Sequence, residues 1–227
     1  MKQIPLGVRL QDRTLFSSFL AGDNALALTA LQRMAGGSAD RRVYLHGPAG
    51  SGKSHLLQAL CADVAGSAYF PLGQLLANGP EVLEGADQLC AIGLDDLQLV
   101  AGDLSWERRL FNLYNDCEAS GTRLAIAATL PATGVNIDLP DLRSRLSSMT
   151  HFALHLLDES QQREALKLRA AQRGLELPDE TVRYLQRRFA RDMSSMQALL
   201  DRLDAASLEE QRRITVPFVR QVTGDQS

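Results

Sequence analysis

Residues 46–55 read HGPAGSGKSH, with Gly47, Gly52, Lys53 and Ser54 at the spacing G-x-x-x-x-G-K-[ST]. These residue types at this spacing suit one chemistry, the cradling of a nucleotide's phosphates. Glycines let successive backbone N–H groups of Gly47, Pro48, Ala49, Gly50, Ser51 and Gly52 converge on phosphate oxygens, Pro48 contributing shape in place of a donor. The first residues of the following helix, His55 included, add the positive end of a helix dipole. Lys53 would reach the β- and γ-phosphates, and the Ser54 hydroxyl would ligate Mg²⁺. A second stretch, LCAIGLDDLQ, is an apolar run that ends in Asp95 and Asp96. After a P-loop, such a pair reads as Walker B: Asp95 on the metal side and Asp96 orienting an attacking water. The expected cofactor is ADP or ATP with Mg.

The loop needs a strand before it and a helix after it. The apolar run RVYL precedes it and the helical pattern HLLQALCADV follows it. Four further apolar runs alternate with helical patterns: SAYFP, LCAIGLDD, RLAIAAT and THFALHL. Alternation of this kind predicts an α/β unit, a parallel five-stranded sheet flanked by helices. Beyond Asp158 the pattern is helical throughout. DESQQREALKLRAAQRG opens acidic and closes on Gly174. LPDETVRYLQRRFARD starts at Pro178. Met196, Leu199, Leu200 and Leu203 share a face in the next segment, and TVPFVRQVTG is a last short helix with Pro217 in its first turn. The expected division is 1–12 as an extended tail, 13–157 as the nucleotide-binding base and 158–227 as a small all-helical lid.

Composition narrows the function classes. The 227 residues are 45% hydrophobic and 22% charged, ordinary for a folded globular chain. A net charge of −3 gives no global attraction to nucleic acid. Three cysteines without paired metal spacing read as reduced thiols. No apolar run is long enough to span a membrane and no secretory pattern is present, so a cytoplasmic protein without a membrane partner is expected.

With these motifs in place, the chain resembles AAA+ ATPases, and among them the family of the bacterial replication initiator DnaA and its shorter homologue Hda. TLFSSFLAGDNALALTAL resembles their box II, which implies that Asn24 lies near the nucleotide base. WERRLFNLYNDCEASGTRLAIAA resembles the helix and strand after Walker B. LPDLRSRLSSM resembles box VII, which implies that Arg145 is an arginine finger acting in trans on a neighbour's γ-phosphate, with Arg143 as an intersubunit contact. The ending ITVPFVRQV resembles the end of the lid. Two positions depart from the family. Thr129 stands where sensor 1 usually carries Asp, and it supplies hydrogen bonds without charge. Ser194 stands where DnaA has its sensor 2 arginine, with Arg191 three residues earlier. Weak or absent intrinsic ATP hydrolysis is therefore expected beside intact nucleotide binding.

The opening, MKQIPLGVRL, alternates apolar and polar residues, and Pro5 and Gly7 argue against a helix. The resemblance implies that it is a peptide for the polymerase III sliding clamp, with Gln3, Ile4, Leu6 and Val8 as the binding residues docking in extended form. The function it implies is negative regulation of replication initiation: bound to a DNA-loaded clamp, the chain would stimulate ATP hydrolysis by DnaA. Its partners would be DnaA and the clamp, DNA only through the clamp, and a second copy of itself in a homodimer. Two alternatives stand beside this. One is an ATPase like the DnaC helicase loader. The other is a degenerate P-loop module whose nucleotide is structural.

Overall fold

The computed structural model describes residues 14–37, 40–172, 174–189, 199–200, 202–203, 205–206 and 213–224. Gln3, Ile4, Leu6, Val8, Arg191, Ser194 and Met196 lie outside the described residues. The chain divides between Leu156 and Leu157 into two compact units.

The first unit is built on five parallel strands: β1 (Arg42–His46), β2 (Ser67–Pro71), β3 (Ala91–Asp95), β4 (Arg123–Ala128) and β5 (Thr150–Ala153), in the order β2-β3-β4-β1-β5. All five apolar runs of the sequence became strands. Residues such as Val43, Leu45, Ala125 and Ala127 face one side, and Tyr44, Leu124, Ile126 and Ala128 the other. Both faces are covered, which is why these strands read as continuous apolar runs. On the first face lie α1 (Ala25–Ala35) and α2 (Lys53–Asp63), through Leu31, Met34, Leu56, Leu57 and Leu60. On the second lies α4 (Leu104–Ser120), through Trp106, Leu110 and Leu113, and α5 (Pro140–Ser147), through Leu142 and Leu146. A short α3 (Leu72–Leu75) follows β2.

Two local signals set the long α4. Asp103 caps its N-terminus by accepting the backbone N–H of Ser105 at 2.8 Å. Gly121, with φ of +78°, closes it in the left-handed conformation. Because the sheet is parallel, the loops after β1, β3 and β4 gather at one end, where such sheets bind ligands.

The second unit contains α6 (Glu159–Gln172), α7 (Asp179–Phe189) and α8 (Val216–Thr223). Its core joins Leu166, Ala170, Val182, Leu185, Leu199, Leu200, Leu203, Phe218 and Val219. Thr181 Oγ1 donates to Ile214 O at 3.2 Å and ties α7 to the entry of α8. No helix among the described residues is long and apolar enough to cross a membrane.

Candidate nucleotide site

The loop of residues 47–52 joins β1 to α2, as the motif requires. Gly47 admits no side chain: a Cβ there would lie 2.3 Å from Leu154 O. Gly52, at φ of +96°, would drive a Cβ to 2.6 Å from the ring of Phe19. The backbone therefore folds tightly, with the N-terminus of α2 opening into it. Inside the loop Ser51 is 5% exposed, and its hydroxyl has no hydrogen-bond partner among the described residues. Lys53 Nζ donates to Gly47 O at 2.8 Å and to Pro48 O at 2.9 Å, which holds the amine at the loop. Burial lowers the Lys53 pKa, and the negative charges of Asp95 and Asp96 oppose that shift. A bound polyphosphate would oppose it further.

Asp95 ends β3 and is 1% exposed. Burial raises its pKa, while hydrogen bonds from Ser54 and Tyr69 counter the rise. Tyr69 O–H donates to Asp95 Oδ2 at 2.7 Å, and the Asp96 N–H donates to Oδ1 at 3.0 Å. The fold thus brings the Ser54 hydroxyl and the Asp95 carboxyl together. Hard oxygen donors of this kind fit Mg²⁺, which keeps several waters and takes one or two protein ligands. The tight glycine cradle, the helix N-terminus and the lysine fit a nucleoside polyphosphate. When bound, the metal would neutralise phosphate charge, with Ser54 and Asp95 as the residues to hold it.

Asp96 has φ of +59° and is the one non-glycine residue with positive φ among the described residues. Backbone of this type persists where its surroundings fix it, and it concentrates at functional sites. One fixing contact comes from a residue that the sequence did not flag. Gln98 Nε2 donates to Asp96 Oδ1 at 3.0 Å, while Gln98 Oε1 accepts the Thr129 N–H at 3.1 Å. The amide must have this orientation, because a backbone N–H only donates. Gln98 therefore joins the second Walker B carboxylate to the end of β4, where Thr129 stands.

Asn24 and His55 are placed by different contacts. Asn24 is 3% exposed; its Nδ2 donates to His155 O at 3.0 Å and its Oδ1 accepts the His155 N–H at 2.8 Å. Its amide thus fastens the segment before α1 to the chain beyond β5. His55 Nε2 lies 3.0 Å from Leu15 O and 3.1 Å from Ser18 Oγ, and its ring meets Phe19 edge-on at 5.4 Å. The carbonyl can only accept, so Nε2 carries the proton. His55 thereby holds residues 15–19 against the P-loop.

Arg145 is elsewhere. It occupies the last turn of α5, which leads into the start of β5. Its guanidinium lies over the Tyr114 ring at 5.5 Å and pairs with Glu118 at 3.5 Å. Arg42, the first residue of β1, lies over the same ring. The P-loop follows the last residue of β1. Arg145 and the phosphate cradle therefore stand at opposite ends of the parallel sheet. Arg143 is exposed on α5 and donates to Ile137 O.

A second residue that the sequence did not flag is a glutamate. Glu107 is fully buried, and its carboxyl accepts the N–H groups of Gly102 at 2.8 Å, Asp138 at 3.0 Å and Leu139 at 2.7 Å. It fixes where α5 begins.

Comparison with known proteins agrees with this architecture. The Hda lid domain family matches residues 158–223. Domain III of the replication initiation protein DnaA from Thermotoga maritima superposes with a TM-score of 0.79 at 18% identity, covering 96% of this chain and 98% of that one. AMPPCP-bound DnaA from Aquifex aeolicus superposes with a TM-score of 0.63 at 20% identity, over 78% of this chain and 61% of that one. A DnaA bound to AMPPCP and single-stranded DNA gives a TM-score of 0.68 at 17% identity, over 90% of this chain and 70% of that one. The chain thus has the fold of DnaA domain III, and its residues 158–223 match the lid domain family of Hda.

Proposed function

We propose that the chain is a negative regulator of replication initiation that makes DnaA hydrolyse its ATP. The observation that carries this reading is the separation of Arg145 from the chain's own P-loop by the length of the sheet. An arginine so placed has no part in its own nucleotide site and is free for a nucleotide held by another molecule. In known cases an arginine supplied in trans raises hydrolysis by about 10³–10⁵-fold. The water oxygen bonds to the γ-phosphorus, the bond to the β–γ bridging oxygen breaks, and ADP leaves with the electron pair. The guanidinium stabilises the charge that builds during this exchange.

The chain's own P-loop binds ADP or ATP with Mg, and the nucleotide organises the fold more than it serves turnover. Thr129, uncharged at the sensor position, supports that division of labour. The tail, through Gln3, Ile4, Leu6 and Val8, docks on the DNA-loaded sliding clamp and concentrates the chain where ATP-bound DnaA is met. DNA is reached through the clamp.

The test is phosphate release from ATP-loaded DnaA, measured with and without this chain and with and without DNA-loaded clamp. Stimulation that needs both the chain and the clamp is expected, and Arg145→Ala abolishes it while leaving nucleotide binding by the chain intact. Turnover by the chain alone, indifferent to DnaA, would instead favour an independent ATPase of the helicase-loader type. Stimulation undiminished in Arg145→Ala would remove the finger from the mechanism.

A further inference from the structure

The surroundings of Arg145 form a built arrangement at the N-terminal end of the sheet. Tyr114 is 5% exposed, and two guanidiniums lie over its ring, those of Arg42 and Arg145, each at 5.5 Å from the centroid. Arg42 is itself pinned: NH1 donates to Arg41 O at 2.8 Å and to Thr122 O at 2.6 Å. Ser148 Oγ donates to Arg145 O at 2.7 Å and lies 3.5 Å from the Tyr114 hydroxyl. Glu118 is one turn beyond Tyr114 on α4, so both face Arg145. A cleft of about 360 Å³ opens here, with Arg42, Tyr114, Glu118, Ser148 and Thr150 in its wall.

These contacts divide into a fixed part and an exchangeable part. The ring is buried, held between strand and helix, and attracts a cation through its quadrupole. The Glu118 pair is exposed on both sides, at 43% and 57%, and exposed ion pairs are weak and screened by salt. A phosphate carries more charge than a carboxylate and offers more acceptors, so it displaces Glu118 readily. The guanidinium carries five N–H donors, so a cation–ring contact leaves donors for oxygen acceptors.

We propose that Tyr114 is a positioning residue for Arg145, a fixed shelf that holds the guanidinium aimed while its edge exchanges Glu118 for the γ-phosphate of a partner's nucleotide. The proposal rests on the trans reading of Arg145. An arginine without such a shelf loses side-chain freedom when it takes its reactive pose, and that loss falls on the rate.

The test uses the full chain with ATP-loaded DnaA and DNA-loaded clamp. Tyr114→Phe keeps the ring and retains stimulation within about twofold, since only the hydroxyl is lost. Tyr114→Met has apolar bulk without a ring, and it lowers the maximal stimulated rate about tenfold. The concentration of chain at half-maximal stimulation stays within about threefold, because docking is unaffected. Should Tyr114→Met fail to fold, pentafluorophenylalanine at position 114 keeps the shape of phenylalanine and reverses the ring quadrupole, and the same drop in maximal rate is expected. Full-rate stimulation by the Met variant, or by the fluorinated one, alongside an inactive Arg145→Ala, overturns the positioning role and leaves the finger standing. Full-rate stimulation by Arg145→Ala overturns both.

Discussion

The Glu107 carboxyl accepts the backbone N–H of Leu139 at 2.7 Å, so a buried side chain on α4 sets the first turn of α5 and, through it, the place of Arg145. Glu107→Ala would leave three backbone N–H groups without their acceptor, and each such loss costs about 1–3 kcal/mol. We expect stability to fall by roughly 3 kcal/mol or more, read as a lower denaturant midpoint with unchanged slope. A midpoint equal to that of the parent chain would mean that water replaces the carboxyl at no cost.

Lys53→Ala should weaken ADP and ATP binding by about 10–150-fold, the range of a charged hydrogen bond worth 1.5–3 kcal/mol. The melt should change little in the nucleotide-free protein, since the amine serves two carbonyls of its own loop and its burial opposes its charge. Equilibrium titration with a fluorescent nucleotide measures the effect. Equal affinity in both proteins would place the nucleotide elsewhere.

Much of this site was legible in the sequence, for a physical reason. Lys53 and Ser54 open the helix after β1, Asp95 and Asp96 stand at the end of β3, and a parallel sheet gathers those ends regardless of detail. Their spacing along the chain nearly determines their arrangement in space. The residues that hold them in place are different. Gln98 meets Thr129 across 31 residues, Glu107 meets Leu139 across 32, and Asn24 meets His155 across 131. No local spacing marks such pairs; they arise only when strand order and helix packing are set. Tyr114 is similar, since its role depends on β1, α4 and α5 arriving together. The family resemblance supplied Arg145, and the fold then supplied what no spacing could, its distance from the P-loop.

Asn24 shows the same gap and gives a test of it. Both ends of its amide are taken by the His155 backbone. Asn24→Ala should therefore cost about 1–3 kcal/mol of stability, a few degrees of melting temperature, and leave the preference for adenine over guanine nucleotides unchanged. A stable variant that no longer distinguishes ADP from GDP would show that Asn24 lies at the nucleotide base, as the family resemblance implies.

Acid should weaken the fold through His46, at the end of β1 beside the P-loop. Its pKa lies below the ordinary 6.5, first because of burial and then because of His151 and His155. Between its folded value and 6.5 the unfolded chain binds the proton and the folded chain does not. Stability therefore falls as acid takes the pH from 6.5 down through that window, and this group removes no more below its folded value. Asp103, Asp158 and Asp179 have pKa values lowered beneath the ordinary 3.8, so their contribution is lost only at more acid pH. Thermal melts from pH 7.5 to 5 should show a decline that His46→Gln flattens. An equal decline in the variant would assign the effect to other groups.

The clamp tether gives the last test, at Gln3, Leu6 and Val8. Replacing all three with Ala removes two apolar side chains and an amide from an extended peptide. Burying one Leu or Val contributes about 1.5–3 kcal/mol, so losing both should weaken clamp binding by roughly two orders of magnitude or more. A docking peptide carries its affinity in its own residues, so a synthetic MKQIPLGVRL should compete with the full chain for the clamp. The two measurements check each other. Competition by the free peptide shows that the segment is sufficient, and loss in the triple variant shows that it is necessary. A melt of the triple variant then separates binding from folding: a docking peptide predicts no change, whereas a strand that completes the sheet predicts a clear drop. Stimulation of DnaA should fall in the triple variant at low protein concentration and recover as the concentration rises, since a tether supplies local concentration and Arg145 supplies the rate. Loss that persists at saturating protein would instead give the tail a part in the hydrolysis itself, and undiminished clamp binding by the triple variant would end the tether reading.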